Sequence, residues 1–467
     1  MALTKRHRNE RIAAAILVGV LLIVVFGFIR WNKAEEAALR RDTRYIPKRE
    51  TITPEILLLR DYVRIDTSTP VGAAQGARWL AGLLERNGLR AEIIESAPGR
   101  LNVYARIRGK RPGGGLLLFN HIDVVPVTPA EWAHPPFAGE THLNQLWGRG
   151  ALDMKALALC QLFAIAGIQR SGRTPEHDIA FLATAEEESG SEYGMKWLLA
   201  HRPDLFEGIA YAITEGGITE VLTEKTSYFG IEVGSKQHVR TFLYSPSKEK
   251  LLDLRIALEP YMTSRDRHRV LPGVRRFFRD VAPSRIAFKD YLADIDGTIA
   301  RGEMWRLPLG YRELLQDSLY VTEPWQDGKQ WVMSVLMLNL PDENPDARIA
   351  WLEKFVEPYG PRVEIQKKEG PVPMSSTDTP LFSTLANEAR TFYRVNAGSE
   401  VLYASITDCR FIRSHGIACY GVSPYLVDIA QSVTIHRPNE RIRLDWFMDG
   451  IEYLRRAVRA WAASAQG

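Results

Sequence analysis

Histidines and carboxylates recur where apolar runs end in this sequence. His121 and Asp123 close LLLFNHIDVV, Asp153 stands in WGRGALDMK, Glu187 and Glu188 in ATAEEESGS, Glu215 in AITEGG, and His436 in TIHRPNER. Imidazole nitrogen and carboxylate oxygen are the donors that hold hard-to-borderline divalent metals in hydrolases, and α/β domains present such groups at the carboxyl ends of their strands. Each has an ordinary reading by itself: a histidine after a strand is commonly a hydrogen-bonded structural residue, and a Glu triplet a solvated turn. Recurrence at five places in one chain points instead to a metal site. The sequence has no G-x-S-x-G elbow, so it lacks the signature of a serine hydrolase.

The elements that must position these groups alternate between helix and strand. Amphipathic helices are expected through EILLLRDYVRI and GARWLAGLLERNG, then strands in AEIIES and LNVYARIRG. The turn RPGGG leads into LLLFNHIDVV, a continuous apolar run of the kind found in strands buried on both faces. A helix through DMKALALCQLFAIAGIQRSG, a strand in DIAFLATAEE, a helix through YGMKWLLAHRP and a strand in IAYAITEGG continue this α/β pattern. After Lys225 the texture changes to strand-like TSYFGIEVGS and VRTFLYSP, a basic and aromatic stretch, VMSVLMLNL, a helix ARIAWLEKFVEPYG and a strand RVEIQKKEG. The α/β pattern resumes after Gly370 and ends in the helix WFMDGIEYLRRAVRAWAA. The expected layout is a catalytic domain made of residues 53–225 and 370–467, interrupted by an α+β lid or dimerisation-type insert, 226–369.

Composition agrees with a folded enzyme: of 467 residues, 45% are hydrophobic and 25% charged. The net charge of +4 is small, and much of the basic excess lies in residues 1–49. That distribution suits a membrane flank and gives no nucleic-acid surface. Between Arg11 and Arg30 the segment Ile12–Ile29 holds 18 uncharged residues, long enough for most of a bilayer core. No small-x-small cleavage site follows it. Residues 1–30 are therefore read as a short basic n-region with a single transmembrane anchor, and 31–52 as a charged stalk. The start TKRHRNER resembles a cytoplasmic n-region, which places the catalytic domain on the extracytoplasmic side. Cys160, Cys409 and Cys419 match no zinc or redox spacing and are read as buried or incidental thiols.

The motifs HIDVVPV, WAHPPFAGETHLNQLWGRGALDMK, EEESGSEYG, TEGG, TDCRFIR and HRPNERI, in this order, resemble the dizinc hydrolases that include aminoacylase, acetylornithine deacetylase, succinyl-diaminopimelate desuccinylase, carnosinase-type dipeptidases and carboxypeptidases G and S. The resemblance covers roughly Thr53–Lys225 and Gly370 to the end. It implies a zinc-peptidase-like α/β catalytic domain with an inserted α+β lid. It also implies two divalent ions, zinc favoured by the mixed His and carboxylate donors, with cobalt or manganese also compatible. Asp153 would bridge them, one ion held further by His121 and Glu215 and the other by Glu188 and His436. Asp123 would orient His121, unless it is an ordinary strand-end turn residue.

In the same resemblance the middle carboxylate of the triplet, Glu187, is the general base that moves a proton from a metal-bridging hydroxide's parent water to the leaving amine. A register one residue off would give that role to Glu186. His238, in GSKQHVRTF, stands where the family places an oxyanion donor, although Gln237 and Val239 replace the usual small neighbours; the plain alternative is an edge-strand histidine. Thr407, Asp408 and Arg410 in TDCR match a loop near the substrate carboxylate, with a structural ion pair as the alternative for Arg410. The implied activity is hydrolysis of an amide bond in an N-acyl amino acid or small peptide. Dipeptidase or carboxypeptidase specificity is the alternative within the class, and a silent membrane-tethered binding protein the alternative outside it. The family also suggests a homodimer formed through the insert.

Overall fold

The computed structural model describes residues 52–464, apart from 218, 222–225, 264–267, 286, 369, 371–372 and 403–404. The expected anchor Ile12–Ile29 and all of the stalk but Ile52 lie outside the described residues. Among the described residues no helix is long and apolar enough to cross a membrane.

Three helices start from the same dipeptide. Thr53, Thr69 and Thr379 each precede a proline, and their hydroxyls accept from the main-chain N–H of Ile56, Gly72 and Phe382 at 3.2–3.3 Å. Threonine satisfies an otherwise unpaired donor of the first turn, and proline at the next position supplies helical φ without needing one. These caps open Pro54–Val63, Pro70–Arg86 and Pro380–Phe392.

In chain order the strands are β1 (Glu92–Ala97), β2 (Arg100–Ile107), β3 (Gly115–His121), β4 (Glu140–His142), β5 (Gln145–Trp147), β6 (Ile179–Thr184), β7 (Ile209–Thr214), β8 (Thr219–Val221) and β9 (Thr226–Ser235). There follow β10 (Gln237–Ser245), β11 (Ser318–Val321), β12 (Trp325–Asp327), β13 (Gln330–Asn339), β14 (Arg362–Lys368), β15 (Asn396–Leu402), β16 (Ala418–Gly421), β17 (Val427–Asp428) and β18 (Arg441–Arg443). Ten of them form a mixed sheet in the order β1-β2-β6-β3-β7-β16-β9-β8-β17, with β15 paired to β9. Every position of β3 and β6 is buried, as their unbroken apolar runs require. The helix Lys155–Arg170 is buried almost all round because it lies between this sheet and the C-terminal helix Leu444–Ala463.

A second sheet, β11-β13-β10-β14 with β12 beside β13, is the core of the insert. Helices Lys248–Thr263 and Pro345–Val356 close it with Leu251, Leu254, Leu258, Ile349 and Leu352 packed on Val239, Leu243, Met333 and Val335. The structure differs from the expected insert 226–369 in two places. Strand β9 belongs to the large sheet, next to β16. The segment beginning with helix Pro272–Val281 also returns to the large sheet, burying Val274, Phe277, Phe278, Leu314 and Leu315 in its core. The apolar residues 274, 277, 278 and 281 give that helix one hydrophobic face, and β15, an edge strand, needs cover. Asp280 fixes the contact by accepting from the main-chain N–H and hydroxyl of Ser399 at 3.0 and 2.9 Å.

Candidate metal centre

Strands β6, β3 and β7 are parallel neighbours, so their carboxyl ends open side by side. His121 ends β3, Glu187 and Glu188 lie in the loop after β6, and Glu215 follows β7 directly. Asp153 arrives from the loop after β5, just before the helix Lys155–Arg170, and the Asp153–Met154 peptide is cis. His436 comes from the second half of the chain, in a loop where its own φ is +62°. The small sheet β18-β5-β4 carries that loop against the one bearing Asp153.

The two oxygens of Asp153 face different histidines. Oδ1 lies 3.1 Å from His121 Nε2, and Oδ2 lies 3.0 Å from His436 Nε2. His121 Nε2 is also 3.8 Å from Glu215 Oε2, and His436 Nε2 is 3.0 Å from Glu188 Oε1. Donors sharing a tetrahedral ion with bonds of about 2.1 Å stand about 3.4 Å apart, so these spacings suit two cations joined through Asp153. His121, Glu187 and Glu215 also bring one donor each within 4.8 Å of one another, as do His121, Asp153 and Glu188. All these side chains are largely enclosed except that of His436, which is 48% exposed at the mouth.

The charges require compensation. Burial, with Asp408 and Glu215 nearby, pushes Glu187 well above the usual carboxylate range. Burial and Asp153 push Glu215 up to about 8, and the same two causes raise Glu188 against the opposing hydrogen bond from His436. Hydrogen bonds to Asp153 and Glu188 push His436 up to about 10. Asp153 moves down despite its burial, because His121 and His436 both donate to it. Four carboxylates crowded against two imidazoles form a cation site by their chemistry.

Asp123 sits beneath this cluster. Its main-chain carbonyl is 2.8 Å from His121 Nδ1, whereas its carboxylate is 3.5 Å from that nitrogen. The carboxylate instead accepts from the main-chain N–H of Glu187 and of Glu188, each at 3.1 Å. It therefore holds the loop that carries both the expected base and one expected ligand.

Three of the other sequence-predicted residues stand apart from the cluster. His238 lies on β10 in the insert sheet, opposite Leu338, and belongs to neither donor group. Arg410 is buried, donates from Nη1 to the Thr407 carbonyl at 3.0 Å and lies over the Phe411 ring at 4.3 Å. The Thr407 hydroxyl accepts from Cys409 N–H at 3.3 Å. Their neighbour Asp408 reaches the site electrostatically: it accepts from the Ser191 hydroxyl at 2.6 Å and acts on Glu187.

Sequence reasoning placed Asp408 in the loop near the substrate carboxylate without this link to Glu187, and it left out Ser191 and Glu440, the latter described below. The reading of all three cysteines as thiols is corrected: Cys409 and Cys419 are joined in a disulfide with Cα atoms 5.4 Å apart, and Cys160 alone is free. The two cysteines stand 10 positions apart, one opening the helix Cys409–Ser414 and the other in β16, which folds back upon it.

A sequence model of Peptidase family M20/M25/M40 matches residues 117–460. Aminoacylase-1 of Mus musculus is 25% identical over 420 residues, 86% of this chain and 94% of that protein. Among solved structures, human carnosine dipeptidase 1 superposes with a TM-score of 0.68 at 14% identity, covering 91% of this chain and 99% of the other. An M20 family metallo-carboxypeptidase from Sulfolobus solfataricus gives a TM-score of 0.67 at 19% identity, covering 88% and 99%. The chain belongs to Peptidase family M20/M25/M40 and is a metallopeptidase- or aminoacylase-like hydrolase of that family.

Proposed function

We propose that this protein hydrolyses an amide bond of an N-acyl amino acid or small peptide at a two-zinc centre, with Glu187 as general base. The observation that carries the reading is Asp153, whose two oxygens face His121 and His436 at 3.1 and 3.0 Å. His121 and Glu215 complete one set of donors, and Glu188 and His436 the other. When bound, the ions acidify a water and polarise the scissile carbonyl. Glu187 is left to take that water's proton and deliver it to the leaving amine. Asp123 fixes where Glu187 stands by gripping its main-chain N–H. His238 stabilises the oxyanion once the insert bears on the site, and Arg410 with Thr407 shapes the end that receives the substrate carboxylate.

The anchor Ile12–Ile29 tethers the enzyme to a membrane with its catalytic unit on the extracytoplasmic side. The Cys409–Cys419 disulfide supports that side, since such bonds persist in oxidising compartments.

The test is metal analysis of the full chain in detergent, joined to a hydrolysis screen of N-acyl amino acids against dipeptides with and without chelator. Turnover that requires about two ions per chain supports the reading. Chelator-resistant turnover, or metal-loaded protein that binds candidate substrates and hydrolyses none, sinks it. The preferred substrate series separates acylase from dipeptidase specificity.

A further inference from the structure

Glu440 has no exposed surface and sits four residues after His436. Its Oε1 accepts from the main-chain N–H of Leu152 at 2.8 Å and of Asp153 at 3.1 Å. Its Oε2 accepts from Gly150 N–H at 3.1 Å and from Arg149 Nη1 at 2.5 Å. The Glu440 carbonyl accepts from Gly148 N–H at 2.9 Å, and Asn439 Oδ1 from Ala133 N–H at 2.7 Å. Every partner of the carboxylate is a donor, so only the ionised form satisfies them all.

This arrangement answers a specific need. The N–H groups of Gly150, Leu152 and Asp153 lie in the enclosed loop that precedes the helix Lys155–Arg170, and enclosed main-chain donors must find an acceptor. The Asp153 carboxylate cannot serve its own loop, because it is turned to His121 and His436. Glu440 supplies the acceptor from the far end of the chain. It thereby fixes the backbone that aims Asp153, from the same loop that aims His436.

We propose that Glu440 is a positioning residue for the bridging carboxylate: without touching an ion, it sets the distance between Asp153 and His436 and so the affinity for the metal pair. The proposal rests on the two-metal reading above. A burial-driven ion pair with Arg149 would stabilise the fold alone. The cradle of three main-chain N–H groups makes a different demand, which Gln cannot meet, because a carboxamide must turn its NH₂ toward donors on one side.

The test uses the full chain in detergent, stripped with chelator and titrated with zinc against a competing chromophoric chelator, with the zinc-induced shift in Tm as a second readout. Glu440→Gln is expected to weaken zinc binding about 10- to 100-fold, the range for groups that orient metal ligands from behind, and to shrink the zinc-induced Tm shift. Arg149→Met, which leaves the three main-chain bonds in place, is expected to lower the Tm of the metal-free protein while keeping zinc affinity within a few-fold of the unmodified chain. Should Glu440→Gln fail to fold, Glu440→Asp, which keeps the charge and shortens the reach, is measured in the same way. Unchanged zinc affinity in the folded Glu440 variant overturns the proposal. Equal losses in the Glu440 and Arg149 variants also overturn it, since that pattern reports general destabilisation. Absence of zinc binding by the unmodified chain removes the two-metal reading itself.

Discussion

Asp123 accepts a hydrogen bond from the main-chain N–H of Glu187 at 3.1 Å, while its partner oxygen takes the N–H of Glu188 at the same distance. One carboxylate thus places the expected base and an expected ligand together. Asp123→Asn keeps the size but offers one of those N–H groups a donor. Activity should fall about 10- to 100-fold with a smaller loss of bound metal, followed by kinetics and elemental analysis on one preparation. Unimpaired turnover would mean the loop holds its shape unaided.

Glu187 and Glu188 are adjacent in sequence but assigned different work. Glu187→Gln should lower kcat about 10²- to 10⁴-fold and leave metal content intact. Glu188→Ala should empty part of the site, because it removes a donor 3.0 Å from His436. If Glu187→Gln instead stripped the metal while Glu186→Gln lost turnover alone, the triplet would be read one residue out of register.

The metal-free protein should lose stability as pH rises. Burial and Asp153 push Glu215 up to about 8, and hydrogen bonds to Asp153 and Glu188 push His436 up to about 10. Both folded values exceed the unfolded ones, about 4.3 for Glu and 6.5 for His. The folded state therefore holds more protons. The stability from Glu215 is present below the unfolded value and lost as pH rises to about 8; that from His436 is lost through about 10. Tm of the chelated chain should fall steadily between about pH 5 and 9, and zinc, by replacing those protons, should flatten the slope. A chelated Tm that rises over this interval contradicts the charge balance described for the site.

Cys409 and Cys419 are separated by 10 residues. Closing so short a loop stabilises by about 2–3 kcal/mol in the chain-entropy account. Denatured, unreduced protein should label at one thiol, Cys160, and at three after reduction. The double Cys409→Ser/Cys419→Ser variant should melt several degrees lower. Three reactive thiols before reduction would refute the pairing, and with it the support for an extracytoplasmic domain.

What the sequence made legible follows from how each residue is used. Strand β3 was readable because burial on both faces leaves no polar position to interrupt LLLFN. His121, Glu188 and Glu215 were readable because a charged group directly after such a run has few ordinary uses. Glu440 was not, because an acid between Asn439 and Arg441 reads as solvated surface, and only the folded chain turns it inward onto the Asp153 loop. The helix Pro272–Val281 shows the same limit: spacing of Val274, Phe277, Phe278 and Val281 announces one apolar face without saying which sheet it covers. For Cys409 and Cys419 the missing information was the fold-back of a helix upon the next strand.

His436 and Glu440 stand 248 and 287 positions beyond the groups they meet, Glu188 and Asp153. During synthesis, residues 1–435, about nine-tenths of this sequence, therefore emerge before the histidine that faces Asp153 Oδ2. A chain cut before position 436 lacks both the histidine that faces Asp153 Oδ2 and the acid that grips the Asp153 loop, however well the preceding sheet folds.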